Sequence, residues 1–249
     1  MTTPAPRGRR SKYRWPVMVA ATCTAGLANC ATSTTAARAA VDASLGRTEA
    51  AGSAHFVRVN TVPGGASSTM EGSVNFARSE LSMVTYSGAA SSSDAVEDVR
   101  QVGSDVYDKF LVPPRKDVAE RGGVLGYLGL SRWYVRQAGQ PVAAQVLPLG
   151  VFSGARKVSV VGPASLSGVD TTEYRVAMPA QNLSGTRLEP SAVEVWLDHE
   201  GRVRRSLSNE VETIKGRSGK LRFSTLTTLS DFGAPVHVEA PPHPVVLRP

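Results

Sequence analysis

The stretch from Val193 to Leu229 constrains the fold more than any other part of the chain. Apolar and polar residues alternate from Val193 to Asp198, which is the period-two pattern of a strand with one buried face. Glu200-Gly201 predicts a tight turn, because glycine adopts a positive φ without steric cost. A second strand, a glycine-rich break and a third strand follow. The stretch therefore predicts a three-stranded antiparallel meander whose apolar face another part of the protein must cover.

In the second and third strands of this meander, apolar and polar residues alternate less regularly than in the first. Val203, Leu207 and Val211 share one phase, but Arg205 occupies the same phase. In the third strand the apolar residues change phase near Thr225, which predicts a β-bulge there.

The charge of the chain is concentrated at its start. The 249 residues carry a net charge of +7, yet residues 1–29 hold five of the 28 basic residues and none of the 21 acidic ones. The rest of the chain is close to neutral and has no basic cluster with interleaved aromatic residues. A nucleic-acid-binding surface is therefore not expected.

The first thirty residues resemble an export signal. Residues 7–14 are basic, and the short apolar segment from Trp15 to Ala28 is too short to span a bilayer comfortably. Leu27-Ala28-Asn29-Cys30 resembles the lipobox of bacterial lipoproteins, with Asn29 standing where the pattern has Gly, Ala or Ser. This resemblance implies that Cys30 becomes the N-terminus and carries acyl chains such as palmitate. The alternatives are an ordinary cleaved signal or an uncleaved anchor, with Cys30 incidental.

Cysteine usage agrees with export, because Cys23 and Cys30 both precede the body of the chain. No disulfide framework and no thiol nucleophile is therefore expected in the body. We divide the chain into an export signal (1–29), a lipidated cysteine with a polar tether (30–35), a single domain (36–240) and a proline-rich tail (241–249).

The body begins with a predicted helix from Ala36 to Ala51, for which a flexible tether is the alternative. Strands follow, and residues 179–190 are predicted to be a polar loop. The apolar, glycine-rich stretch 122–130 predicts either a loop packed on the core or a mobile flap at a cavity mouth. A second helix, interrupted by Pro148, is the expectation for residues 142–150.

The sequence lacks the residue patterns of the common catalytic sites. It has no G-x-S-x-G, S-x-x-K or H-E-x-x-H motif, and its four histidines have no metal-ligand spacing. We therefore expect neither an enzyme, nor a metal site, nor a cofactor.

Several segments, taken in order, resemble the LppX/LprG-type lipoproteins of actinobacteria, which are relatives of the LolA/LolB lipoprotein carriers. The matching segments are Val99–Phe110, Trp133, Thr172–Val176, Val193–Arg205 and Phe223–Gly233. The resemblance implies an α+β fold, with a curved antiparallel half-barrel sheet, an N-terminal helix and few other helices over the concave face. It also implies an apolar cavity for the acyl chains of a lipid or glycolipid.

The predicted function is thus a monomeric lipoprotein that binds and carries or presents a lipid on the outer face of the cytoplasmic membrane. A surface scaffold or sensor partner without a lipid cargo is the alternative. Apolar side chains on the predicted inward faces, with two from the glycine-rich stretch, are the candidates to line the cavity: Val74, Phe76, Met83, Leu125, Leu128, Tyr174, Val176, Val193, Val195, Leu197 and Phe223.

Overall fold

A computed structural model describes residues 26–63, 67–87, 95–111, 132–139, 141–147, 152, 154–183, 186–214 and 219–246. Side chains are described from Thr34 onward within these ranges, other than those of residues 182, 183, 186 and 214. The described strands form one open, curved sheet in the order β14-β6-β5-β4-β3-β2-β1-β13-β12-β11-β8-β7, with β9 and β10 attached to β12. The predicted curved antiparallel sheet is confirmed.

The strands follow the chain closely, so most neighbours in the sheet are also neighbours in sequence. Their bounds are β1 Ser53–Thr61, β2 Ser67–Asn75, β3 Glu80–Ser87, β4 Ala95–Val102, β5 Asp105–Phe110, β6 Tyr134–Gln137, β7 Lys157–Leu166, β8 Val169–Met178, β9 Gln181–Leu183, β10 Thr186–Leu188, β11 Ser191–Asp198, β12 Val203–Ile214, β13 Lys220–Ser230 and β14 Val245–Val246. The short strands β9 and β10 occupy part of the predicted loop 179–190.

Two helices are described, α1 from Gly26 to Ala50 and α2 from Val142 to Val146. The N-terminal helix is confirmed, but it begins at Gly26 rather than Ala36, so residues 32–35 are helical and not an extended tether. Alanine is frequent between Ala36 and Ala50 and favours a helix over those residues, and Gly52, with φ +82°, ends it. Neither described helix has the length and apolarity needed to cross a bilayer.

The centre of the sheet joins the two ends of the domain, because β1 pairs with β2 on one side and with β13 on the other. The meander β11–β12–β13 is antiparallel, as predicted. The predicted bulge near Thr225 is wrong, since β13 keeps one register from Lys220 to Ser230. The irregularity lies instead between Trp196 and Leu197, where the pairing with β12 shifts.

That shift decides which side chains of β12 point to each face. Val203 is fully buried in the core, whereas Leu207 and Val211 lie in the opposite phase and are half-buried. Leu226 lies opposite Leu207 and shares its face. The prediction that Val203, Leu207 and Val211 share one face is therefore wrong.

We call the side on which α1 and α2 pack the inner face of the sheet. One cluster of buried apolar side chains occupies it, with contributions from both helices and from β1, β2, β3, β7, β8, β11, β12 and β13. Phe56, Leu81 and Leu229 are among its largest fully buried members. Burial of this cluster supplies the main stabilisation of the sheet.

The C-terminal segment after β13 runs across one end of the sheet. Ala234 accepts a hydrogen bond from Ser53, and Val236 accepts one from Asn75. Val238 then donates its backbone N–H to the buried carboxylate of Glu80 at 3.3 Å. At the far edge the tail adds β14 in parallel to β6, a position that suits a proline-rich segment because proline cannot donate a hydrogen bond to a neighbouring strand.

Candidate functional site

Five of the predicted cavity residues lie in the buried cluster of the inner face. They are Val74, Val176, Val193, Val195 and Leu197, none more than 7% exposed. Val193 pairs with Val176 and Val195 with Tyr174, so the register places these side chains side by side. The structure thus brings residues from β2, β8 and β11 into one apolar surface under the two helices.

The remaining predicted residues are more peripheral. Phe76, Met83 and Tyr174 are half-buried and pack against the cluster. Phe223 is half-buried near the start of β13 and lies on the inner face opposite Glu210. Leu125 and Leu128 lie outside the described residues, and Cys30 lies in α1 where side chains are not described.

Helix α1 covers the side of the inner face formed by the later strands. Ala37 and Val41 enter the cluster, and Arg38 Nη1 donates to the carbonyl of Ala155 at 2.9 Å. At its other end the Thr48 hydroxyl accepts the backbone N–H of Val203 at 3.0 Å. These contacts fix the helix along its length.

Helix α2 covers the first strands through Val142 and Val146. Its Gln145 side chain donates to Gln101 Oε1 at 2.6 Å, and Gln101 on β4 is itself buried. The last carbonyls of α2 face β1, where they meet a half-buried cation.

That cation is Arg58, which lies on the inner face of β1 between Phe56 and Asn60. Its Nη2 donates to the carbonyl of Gln145 at 2.7 Å and to that of Val146, and its Nε donates to Thr227 Oγ1 at 3.4 Å. No carboxylate lies within ion-pair distance of it among the described residues. Because burial disfavours the charged guanidinium, it lowers the pKa of Arg58.

Polar side chains surround Arg58 on the strands at the centre of the sheet. Thr225 Oγ1 donates to Asn60 Oδ1 at 3.0 Å, and Asn60 donates to Ser68 Oγ at 3.4 Å. Strand pairing places Met70 opposite Arg58, Thr85 opposite Met70 and Glu97 opposite Thr85. We call this line of side chains, from Thr227 through Arg58, Met70 and Thr85 to Glu97, the Arg58 row.

Two features of the row are unusual for the interior of a sheet. Thr85 is 9% exposed, and its Oγ1 is buried without a hydrogen-bond partner among the described residues. Burial raises the pKa of Glu97, and the nearby carboxylate of Asp108 raises it further, while Arg136 opposes both. On the far side of Arg58, burial likewise raises the pKa of Glu210. The inner face therefore has an apolar part and a polar part.

A separate cluster of charges, at the β11–β12 turn, has a structural role. The fully buried carboxylate of Asp198 accepts Arg202 and Arg204 side chains, each at 2.9 Å, and backbone N–H groups of the β11–β12 turn. Both guanidinium groups lie over the ring of Phe232, at 4.7 and 4.6 Å from its centroid. Burial opposes ionisation of Asp198, but these hydrogen bonds outweigh it and lower its pKa.

Two open grooves lie at the end of the sheet where the β11–β12 turn and the C-terminal segment meet it. One, of about 620 Å³, lies between the β7–β8 hairpin and residues 197–199. The other, of about 420 Å³, lies between the start of β1 and residues 233–237. Leu197 lines the first groove, and the other predicted cavity residues that the structure describes line neither.

The sequence reasoning missed the polar part of the inner face. A signal for it was present, because Arg58 and Asn60 continue the phase of Ala54 and Phe56 in β1. A charged residue in the apolar phase of a strand indicates a buried polar site as well as a strand. Thr85 was not recognisable, since threonine is ordinary on either face of a sheet.

An open, curved and mainly antiparallel sheet, with one face covered by an N-terminal helix, defines the structural class of this protein. No protein-family model matches the sequence, and no curated protein matches it. Among solved structures, the Mycobacterium tuberculosis lipoprotein LppX matches 82% of this chain and 99% of its own, with 16% identity and a TM-score of 0.50. LprF from Mycobacterium bovis matches 84% of this chain and 98% of its own, with 14% identity and a TM-score of 0.47.

The comparison with LppX covers nearly all of that protein and most of this one. At 16% identity it defines the fold and nothing finer. The chain has the LppX/LprG-type fold that its sequence resembles.

Proposed function

We propose that this protein is an exported lipoprotein, anchored through Cys30, that binds the acyl chains of a lipid or glycolipid and carries or presents it in the cell envelope. Its action is binding rather than catalysis, and it acts as a monomer at the outer face of the cytoplasmic membrane. The observation that supports this most is the single apolar surface that eight neighbouring strands, from β3 to β7 in the sheet order, form under α1 and α2.

The driving force for cargo entry is the removal of alkyl chains from water. Each buried CH₂ group contributes about 0.8 kcal/mol, so two ordinary acyl chains provide ample affinity. Val74, Met83, Tyr174, Val176, Val193 and Val195 supply aliphatic and adaptable walls, with Leu125, Leu128 and Phe223 as further proposed lining residues. The lipid anchor keeps the binding face close to the membrane from which the cargo comes.

Co-purification tests this function directly. The full chain with Cys30→Ser, which cannot be acylated at that position, is expressed in an actinobacterial host, and organic extracts of the purified protein are analysed by mass spectrometry. We expect a diacyl or triacyl lipid at about one per protein. A lipid-free, monodisperse protein contradicts the carrier function and favours the scaffold or sensor partner. In a separate measurement, the mass of the N-terminal peptide of wild-type protein tests acylation of Cys30.

A matched pair of variants on β3 tests which face binds the lipid. Met83 and Val84 are neighbours and both half-buried, but only Met83 packs against the inner-face cluster. We expect Met83→Asp to reduce the co-purified lipid at least about tenfold, because it places a charge against the alkyl chains. Val84→Asp should retain the lipid. Equal loss in both variants would contradict the assignment of the inner face.

A further inference from the structure

The Arg58 row is the feature of the inner face that an alkyl-chain site does not explain. A cavity for hydrocarbon alone requires apolar walls, yet this row places a cation, a hydroxyl and a carboxyl group on neighbouring strands. Such groups are costly to bury unless they are hydrogen-bonded or paired. Their presence requires either a structural role or a polar ligand.

The structural role accounts for only part of the row. Arg58 uses Nη2 and Nε to hold the last carbonyls of α2 and the Thr227 hydroxyl. Its Nη1 makes no hydrogen bond to any described residue, and no carboxylate there neutralises its charge. Nη1 retains two N–H donors beside this positive charge, so the oxygen atoms of a carboxylate or phosphate group would complement the site.

Thr85 provides a second, independent observation. Its hydroxyl is buried and has no partner among the described residues, although buried hydroxyl groups are almost always hydrogen-bonded. It lies two strands from Arg58, or about 10 Å between backbones, with only the flexible side chain of Met70 between them. A ligand oxygen over Met70 is thus bordered on one side by a guanidinium group and on the other by a hydroxyl donor.

We propose that the Arg58 row binds a phosphate group carried by the cargo lipid, with Arg58 and Thr85 as its ligands. This inference rests on the proposed lipid-binding function and narrows its cargo to phosphate-bearing lipids. The acyl chains lie on the apolar part of the inner face, toward Phe56, Val74 and Leu81. The polar neighbours Asn60, Ser68 and Thr225 then face the rest of the head group.

The test compares two probes with the same fluorescent acyl chains, phosphatidic acid and diacylglycerol, titrated against the full chain with Cys30→Ser. We expect phosphatidic acid to bind at least about tenfold more tightly, as a charge-assisted hydrogen bond would give. Arg58→Gln should remove this preference and leave the affinity for diacylglycerol unchanged. Arg175→Gln removes the same charge from an exposed position on the outer face, where Arg175 pairs with Glu194, and should keep the preference.

A second variant keeps the test decisive if Arg58→Gln does not fold. Thr85→Val removes the buried hydroxyl without changing the shape of the side chain. It should raise the melting temperature of the lipid-free protein, because an unsatisfied polar group is lost. It should also weaken phosphatidic acid binding about threefold or more, with diacylglycerol binding unchanged. A Thr85→Val protein that keeps the full wild-type preference for phosphatidic acid overturns the assignment of the phosphate site to the Arg58 row.

The possible outcomes separate this inference from the proposed function. Equal binding of the two lipids by the wild-type chain overturns the inference and leaves lipid binding intact. Binding of neither lipid overturns both. Inorganic phosphate, titrated alone, should not bind below about 10 mM, since the acyl chains provide most of the affinity. Micromolar binding of inorganic phosphate would overturn the assignment to a lipid head group.

Discussion

The hydroxyl oxygen of Thr48, in the last turn of α1, accepts the backbone N–H of Val203 at 3.0 Å. The same hydroxyl donates to the carbonyl of Ser44 at 2.7 Å, and Thr48 is fully buried. Beside it, Gly201 lies so close to the Arg47 side chain that a Cβ atom would meet it. The end of the N-terminal helix is therefore attached to the first residue of β12, directly after the turn that organises the meander.

Replacing Thr48 by valine tests the importance of this attachment. Thr48→Val keeps the shape of the side chain but leaves the buried N–H of Val203 without an acceptor, so we expect a loss of about 2 kcal/mol in the free energy of unfolding. Urea titration followed by circular dichroism measures it. Thr228→Val, on the outer face of β13, should change the free energy by less than about 0.5 kcal/mol. An equal change in the two variants would show that the hydrogen bond to Val203 adds no stability.

A glycine in the middle of β2 is required by the approach of β3. A Cβ atom on Gly72 would lie 2.8 Å from the Cα of Met83 and closer still to the carbonyl oxygen of Ser82, both of which are backbone atoms. We therefore expect Gly72→Ala to cost about 2 kcal/mol or more, through displacement of β3.

Gly46 is the matched control for this substitution. It is exposed in α1, and nothing lies within 4 Å of an added Cβ atom. Gly46→Ala should therefore stabilise the protein by about 1 kcal/mol, through the higher helix propensity of alanine. Thermal unfolding should thus shift in opposite directions in the two variants, and a stable Gly72→Ala protein would contradict the close packing of β2 on β3.

The sequence was sufficient to predict the fold class, the N-terminal helix and the meander, because alternation in Val193–Asp198 and the turn at Gly201 are local properties. It was insufficient to predict which side chains of β12 and β13 lie on the inner face. The register shift between Trp196 and Leu197 does not alter the pattern of apolar and polar residues. Leu226 is an apolar residue on the outer face, so it produces the change of phase that was interpreted as a bulge. Pattern reasoning also assumes that the inner face is apolar, so it missed Arg58. The hydrogen-bond partners of a buried polar group can lie far away in the sequence, as the carbonyl of Gln145 does for Arg58.

The cluster around Asp198 predicts a pH-dependent contribution to stability. Asp198→Asn removes a fully buried charge from between two guanidinium groups, so we expect a loss of about 3 kcal/mol in the free energy of unfolding at neutral pH. Because the pKa of Asp198 is lower in the folded protein, the stabilisation is complete above its ordinary value of 3.8 and is lost as the pH falls through the folded value. Urea unfolding at neutral and acidic pH measures this difference.

The control for this experiment is Asp170→Asn, which changes an exposed carboxylate at the same end of the sheet. It should leave the free energy of unfolding nearly unchanged at neutral pH. If the difference between wild type and Asp198→Asn stayed constant down to strongly acidic pH, the ion pairs would not be its source.

The raised pKa of Glu97 predicts a contribution to stability with the opposite dependence on pH. Burial and the carboxylate of Asp108 raise its pKa above its ordinary value of 4.5, so the folded protein holds this proton more tightly than the unfolded chain. Stability is therefore lost as the pH rises from 4.5 through the folded value, and the charged carboxylate remains unfavourable at neutral pH. Glu97→Gln removes that cost and offers an amide N–H to the Thr85 hydroxyl opposite, so we expect higher stability at neutral pH and no gain below pH 4.5. Urea unfolding at both pH values is the measurement. Glu71→Gln, on the outer face, is the control. A Glu97→Gln protein that is less stable than wild type at neutral pH would show that the carboxylate has a favourable partner.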